Sequence, residues 1–485
     1  MMKKLFSSEQ GAADESRRAF LRRSGQLALT GTALPFALNM AAIGEAAAFE
    51  ASDYKALVCV YMAGGNDYAN TVVTYDDPSY AKYYAIRSAG DIALSKASLA
   101  PTLLTPATPL PDGRQYALNP AMTGLAALFN SGKAAVQLNV GPLVVPLTRT
   151  QYASGGYPLP SKLMSHNDQA SVWQSLAAEG ANSGWGGRMG DLALAGNGNS
   201  NFTCISAAGN AVFVSGQTAL QYQISTGGAV AVNAIKNNVY GSSAVKAAMA
   251  TLITQPRAHL MENEYNKVTA RSINLESMVT AGIGSTSSVT TAFPAGNALA
   301  DQLKIVARLI AARNTLGSPK RQVFFVSIGG FDLHDNFKAQ HPAMMAKLSE
   351  AMTAFYNATV ELGVASQVTS FTASDFGRTL AVNGNGSDHG WGSHHIVVGG
   401  AVKGSAFYGS APPVSVGNTT APEDQWHIGQ GRLLPSTSVD QYAATLASWF
   451  GVADGELNAV LPNLHNFGSE AGRPDYPRNM GFMNA

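Results

Sequence analysis

Residues 55–67, KALVCVYMAGGND, decide the fold. The eight residues from Lys55 to Met62 are apolar and partly β-branched, with no polar alternation. A run this short reads as a strand buried on both faces, the kind found inside parallel sheets. Gly64-Gly65 then predict a tight loop, which delivers Asn66 and Asp67 to the strand's carboxyl end. The same pattern returns twice. Val323–Ile328 (VFFVSI) runs into Gly329-Gly330-Phe331-Asp332, and Gln367–Thr372 runs into Ser374-Asp375.

Between these runs the period changes. Leu299, Leu303, Val306 and Ile310 recur at helical spacing, and further helices are expected over 121–130, 168–178, 256–281, 342–362 and 439–450. Other strands are expected over 134–140, 201–206 and 395–398. Strands alternating with helices predict an α/β fold, a doubly wound and mostly parallel sheet with helices on both faces. Residues 207–240 alternate small polar and β-branched residues, as hairpins do. The stretch 207–294 is a candidate insertion or cap on a single domain spanning 49–485.

Composition narrows the function. Of 485 residues, 32 are Lys or Arg and 31 are Asp or Glu, so no bulk basic field exists to hold nucleic acid. Hydrophobic residues reach 46%, enough for a large core, while charged residues are only 13%. That low charge suits an exported protein. Two cysteines, Cys59 and Cys204, exclude a disulfide scaffold and a multi-thiolate zinc site. The N-terminus carries Ser16-Arg17-Arg18-Ala19-Phe20-Leu21, a mildly apolar stretch from Leu27 to Ile43, and Ala46-Ala47-Ala48. This is the pattern of a twin-arginine signal peptide over residues 1–48, with cleavage after Ala48 and delivery to the periplasm or the exterior. The stretch is too short and polar for a stable membrane span.

Ligands of open α/β sheets bind beyond the carboxyl ends of the strands. Asp67, Asp332 with His334, and Asp375 arrive there, an oxygen and nitrogen set suited to a divalent metal. The glycine-rich segment 383–395 (NGNGSDHGWGSHH) adds His389, and then His394 or His395, which face opposite sides of a strand. Each Asp also reads as a turn or helix cap. Ser165, in Ser165-His166-Asn167-Asp168, opens a helix; it reads as a nucleophile toward phosphate or sulfate or, equally, as the helix cap. Arg378 pairs with an anionic substrate or with Asp375 or Asp332.

The blocks GGNDYANTVVTY, MSHNDQASVWQS, GWGGRMGDL, VSIGGFDLHDNF and TASDFGRTLAVNGNGSDHGWGSHHIVVGGAVKG occur in an order that resembles a large bacterial family with twin-arginine signals and no assigned function. That family is similar to the alkaline phosphatase/sulfatase superfamily. The resemblance implies an alkaline-phosphatase-like fold. It also implies metal at Asp67, Asp332, His334, Asp375 and His389, a nucleophile at Ser165, and Arg378 on the anion. Zinc is the expected metal, with calcium or manganese as alternatives. The chain departs from the superfamily in lacking Cys-x-Pro-x-Arg at Ser165, in placing Phe376 where a His or Asn ligand follows the Asp, and in shortening Asp-x-x-x-His to Asp332-Leu333-His334. The implied activity is hydrolysis of phosphate or sulfate esters on a small anionic substrate or a sulfated or phosphorylated polymer. The alternative is a non-catalytic periplasmic or extracellular binding or assembly protein.

Overall fold

The computed structural model describes residues 53–285 and 289–484. The twin-arginine motif and the expected cleavage point lie outside the described residues. Among the described residues eleven strands form: β1 Lys55–Met62, β2 Val72–Thr74, β3 Tyr116–Leu118, β4 Ala134–Gly141, β5 Cys204–Ser206, β6 Gln221–Gln223, β7 Arg321–Ile328, β8 Val368–Ser374, β9 Ser393–Gly399, β10 Ala406–Tyr408 and β11 Thr437–Ser438. The longer helices are α1 Asp77–Arg87, α2 Thr123–Asn130, α3 His166–Ser175, α4 Trp185–Ala193, α5 Ser243–Thr254, α6 Leu260–Ser285, α7 Ala298–Ala311, α8 Phe337–Glu361 and α9 Val439–Phe450.

Nine strands make one sheet in the order β10-β4-β9-β8-β1-β7-β5-β6, with β11 against β4. β1 lies at the centre, parallel to β7 on one side and β8 on the other. β9 runs against its neighbours β4 and β8, while the other pairs in the sheet are parallel. Both faces are covered, as the unbroken apolar strands require. Ala56, Val58, Val60 and Met62 pack with Leu299, Val306 and Met352 of α7 and α8 on one face. On the other, Tyr61 meets Phe325, while Phe371 meets Trp185 of α4 and Tyr442 of α9. Cys59 and Cys204 are free and buried, as small core residues.

Two expectations need correction. Residues 207–240 do not form hairpins: β6, the strand in this stretch, pairs parallel to β5, and the rest is turns, short helical segments and irregular chain. Three paired residues suffice to extend the sheet, and apolar residues beyond them, Phe213 and Val214 among them, are buried without strand pairing. The long helix expected from Pro342 begins at Phe337, leaving Pro342 inside it. Proline favours a first helical position, but here Asn336 makes the left-handed turn into the helix and the Phe337 N–H donates to Asn385 O. Among the described residues no helix is long and apolar enough to cross a membrane.

Candidate metal centre

The three central strands finish level. Met62 of β1 is in register with Ile328 of β7 and Ser374 of β8. Asp375 therefore leaves the sheet beside Gly64, and its Oδ2 accepts from the Gly64 N–H at 3.2 Å. Gly64 adopts φ +118°, and a Cβ there would fall 2.4 Å from the Asp332 nitrogen. Only glycine lets the β1 and β7 loops approach this closely.

Four side chains converge in front of these loops. His166 opens α3, Asp332 and His334 follow β7, and His389 comes from the glycine-rich segment between β8 and β9. Asp332 is the hub. Its Oδ2 lies 3.4 Å from His166 Nε2, and its Oδ1 lies 2.9 Å from His334 Nε2 and 3.3 Å from His389 Nε2. One donor atom from each of His166, Asp332 and His389 lies within 4.8 Å of the others. Tetrahedral coordination at about 2.0–2.2 Å per bond places neighbouring donors roughly 3.3–3.6 Å apart, and the His166 and His389 spacings to Asp332 fall there, each to a different carboxylate oxygen.

The other nitrogen of each ring is held from behind. His166 Nδ1 bonds Asp375 Oδ2 at 2.6 Å, His389 Nδ1 bonds the Met164 carbonyl at 2.8 Å, and His334 Nδ1 faces Asp388 Oδ1 at 3.3 Å. A carbonyl or carboxylate only accepts, so the Nδ1 atoms of His166 and His389 are placed to donate, while each Nε2 faces Asp332, to which it donates when protonated and beside which it leaves a lone pair when it is not. His334 Nε2 and His389 Nε2 then face each other at 3.0 Å, beside a carboxylate. Acceptors crowded in this way repel unless a proton or a cation lies between them. A carboxylate or carbonyl behind each imidazole is also the arrangement that orients metal-binding histidines.

The electrostatics differ from ring to ring. Burial pushes the Asp332 carboxyl up, but the Arg378 guanidinium bonded to it at 2.9 Å more than offsets this and holds it below the usual carboxylate range. The Asp375 hydrogen bond raises the His166 pKa and favours its protonated form, while burial lowers that of His389 and favours its neutral form. Phe376 packs its ring against both His166 and His389, at centroid distances of 4.7 and 4.6 Å. Where the resemblance implies a His or Asn ligand, an aromatic wall props two imidazoles instead.

The remaining expected site residues are placed as follows. Asp375 stands behind His166 and also accepts from the buried Tyr61 hydroxyl at 2.7 Å. Asp67 lies apart from the cluster: Arg87 binds both its oxygens at 2.8 and 3.1 Å, Ser387 donates to Oδ2, and Oδ1 caps the short helix 68–71 through the Asn70 N–H. Arg378 makes the ion pair with Asp332; its guanidinium is buried, and its three nitrogens are engaged by Gly64 O, Asp332, and the carbonyl and hydroxyl of Ser387. Ser165 is the N-cap residue of α3, yet its hydroxyl donates to Asp168 Oδ2 at 2.8 Å and caps no backbone N–H. His394 and His395 point to opposite sides of β9, toward Asn139 and Thr372, and burial depresses both to about 3. Sequence reasoning missed His166. Its signal was its position next to Ser165 at the start of α3, a helix that meets Asp332 and Asp375 through this first residue.

These features define an α/β protein with a histidine–carboxylate cluster, open to solvent, at the carboxyl edge of its sheet. The chain belongs to the family described as "Protein of unknown function (DUF1501)", whose model matches residues 54–462 and so spans every member of the cluster. No curated protein matches the chain.

Proposed function

We propose that the protein is an exported, metal-dependent hydrolase of phosphate or sulfate esters, on an alkaline-phosphatase-like fold. One observation carries the reading: three imidazoles turn Nε2 toward a single carboxylate while each Nδ1 faces a separate acceptor. His166, Asp332 and His389 would hold a divalent cation, zinc first, with His334 alongside. Such a cation supplies Lewis acidity and lowers the pKa of a bound hydroxyl or water.

The chain's own residues do the rest. Asp375 and the Met164 carbonyl fix the tautomers of His166 and His389. Arg378 keeps Asp332 ionised and aimed. Ser165, next to His166, presents a hydroxyl already bonded to Asp168. Asp168 accepts the proton as the serine oxygen attacks phosphorus or sulfur and the ester bond to the alcohol breaks, and returns it to the departing alkoxide. Water then cleaves the seryl ester to release phosphate or sulfate and restore the serine. Lys162, exposed and 3.5 Å from Asp168, is placed to draw in the anionic ester.

The test is a panel of aryl phosphates and sulfates with zinc-, manganese- or calcium-loaded protein. Turnover by wild type that disappears in Asp332→Asn and Ser165→Ala, with folding intact, supports the reading. A second reading, a binding or assembly protein that keeps the metal and does no chemistry, is favoured by the Arg378 guanidinium, which is committed to the protein's own groups and not to an incoming anion. Bound metal without turnover across the panel decides for it.

A further inference from the structure

Helices α5 and α6 form a hairpin in which α5 and the N-terminal half of α6 are largely exposed while the C-terminal half of α6 packs on the core. Asn266 of α6 ties it by donating to the Leu252 and Gln255 carbonyls at 3.3 and 2.7 Å. No residue of α5 is buried, although its sequence, SAVKAAMATLIT, is largely apolar. Among the described residues, ten of the fourteen exposed large hydrophobic side chains fall between Leu220 and Val268, so the exposure is concentrated in this stretch of chain.

The patch has a register. Met261, Tyr265, Val268, Ser272, Leu275 and Val279 follow one another at spacings of four and three, the seam of a helix that packs against another helix. The lower half of that seam is covered by this chain: Leu275, Val279 and Ile283 are buried, and they join the core that includes Leu303, Val306 and Ile310 of α7. The upper half is bare, with Met261 71%, Tyr265 69% and Val268 52% exposed. The sequence thus keeps helix-pairing spacing beyond the point where its own domain supplies a partner.

We propose that a second copy of this chain covers the upper seam, with α6 antiparallel to its mate about a two-fold axis near Tyr265. Charge selects this arrangement. Glu262 and Glu264 lie on the N-terminal side of that axis, Lys267 and Arg271 on the other. Antiparallel pairing sets the acids of one copy against the bases of the other, whereas parallel pairing sets like on like. Lys267 already pairs with Glu264 within one chain at 2.7 Å, so the mate completes a four-charge network. The area is sufficient. Tyr240, Val245, Leu252, Leu260, Met261, Tyr265 and Val268, at on the order of 150 Å² for each large side chain and about two-thirds exposed on average, offer roughly 700 Å². Stable two-fold interfaces bury about 600–1,000 Å² per partner, and this area lies in the lower part of that range.

Sedimentation equilibrium on the purified full chain tests the pairing. Wild type is expected to be a dimer, and Met261→Glu with Tyr265→Glu is expected to weaken dimerisation by at least ~100-fold. Both side chains are exposed in the single chain, so the melting temperature of the variant's monomer should stay at that of the wild-type monomer. Glu264→Lys should also weaken the dimer, and adding Lys267→Glu should restore it. Tyr265→Cys should give a covalent dimer under mild oxidation, since Cys59 and Cys204 are buried and do not compete. A wild type that stays monomeric at its highest soluble concentration, a dimer that survives the double glutamate variant, or a failure of Tyr265→Cys to cross-link overturns the proposal.

Discussion

Replacing Asp67 by Asn should cost stability and spare metal. Asp67 and Arg87 are 1% and 0% exposed, and they form a two-bond ion pair. Removing one partner of such a pair leaves the other charge buried and uncompensated, which costs about 3–5 kcal/mol. The substituted amide keeps an oxygen for the Asn70 N–H, so the cap is retained and adds little. Arg87 keeps its bonds to that same oxygen and to the Thr379 carbonyl but loses the Oδ2 acceptor and the countercharge. The loss is a large share of a stability of roughly 5–15 kcal/mol. Urea unfolding measures it, and the double variant Asp67→Asn with Arg87→Met, which removes both charges, should recover part of it. The pH dependence has a definite sign. Burial raises the Asp67 carboxyl, but Arg87 and Ser387 bring its net pKa below 3.8 in the folded state. The pair's contribution is therefore fully present above the unfolded value of 3.8 and fades as pH falls through the lower folded value, a loss that the variant should not show. An Asp67→Asn protein with native stability and no bound metal would refute this account and return Asp67 to the ligand set.

Three further expectations follow from other contacts. Asp375→Asn should weaken metal affinity about 10–100-fold by loosening His166, measured as the zinc dissociation constant by calorimetry, with unchanged affinity as the contrary result. Asp440 is fully buried, and burial raises its carboxyl to about 7. Its ionisation disfavours the fold progressively as pH rises from 3.8 to about 7, so Asp440→Asn should gain about 1–4 kcal/mol at pH 8 and nothing near pH 4; equal effects at both would contradict this. Arg17→Lys with Arg18→Lys should retain the precursor inside the cell, and unimpaired export would remove the twin-arginine reading.

The central sheet was legible because its strands carry their burial in plain sequence. Lys55–Met62 needs no context to read as a two-face-buried strand, and Leu299, Leu303, Val306 and Ile310 announce a helix by spacing alone. The site was only half legible. Asp67 and Asp332 both follow a Gly-Gly turn after such a strand, and no local feature separates them. Arg87, one turn beyond Tyr83 on the buried side of α1, makes the difference; the fold brings it to Asp67 from 20 residues away. Arg378 read as a substrate clamp or an ion pair because its partner, Asp332, is fixed by strand register that one sequence does not display. His166 escaped because a helix-opening motif draws attention to the capping serine, while the histidine's role depends on α3 reaching the ends of β7 and β8.

Metal analysis of purified, dialysed protein after zinc exposure, run on wild type and His166→Ala together, tests the central claim most directly. The account predicts one tightly held zinc per wild-type chain and loss of it in the variant with the fold unchanged. A wild type that retains no zinc, manganese or calcium, or a His166→Ala protein that binds metal as tightly as wild type, would contradict it.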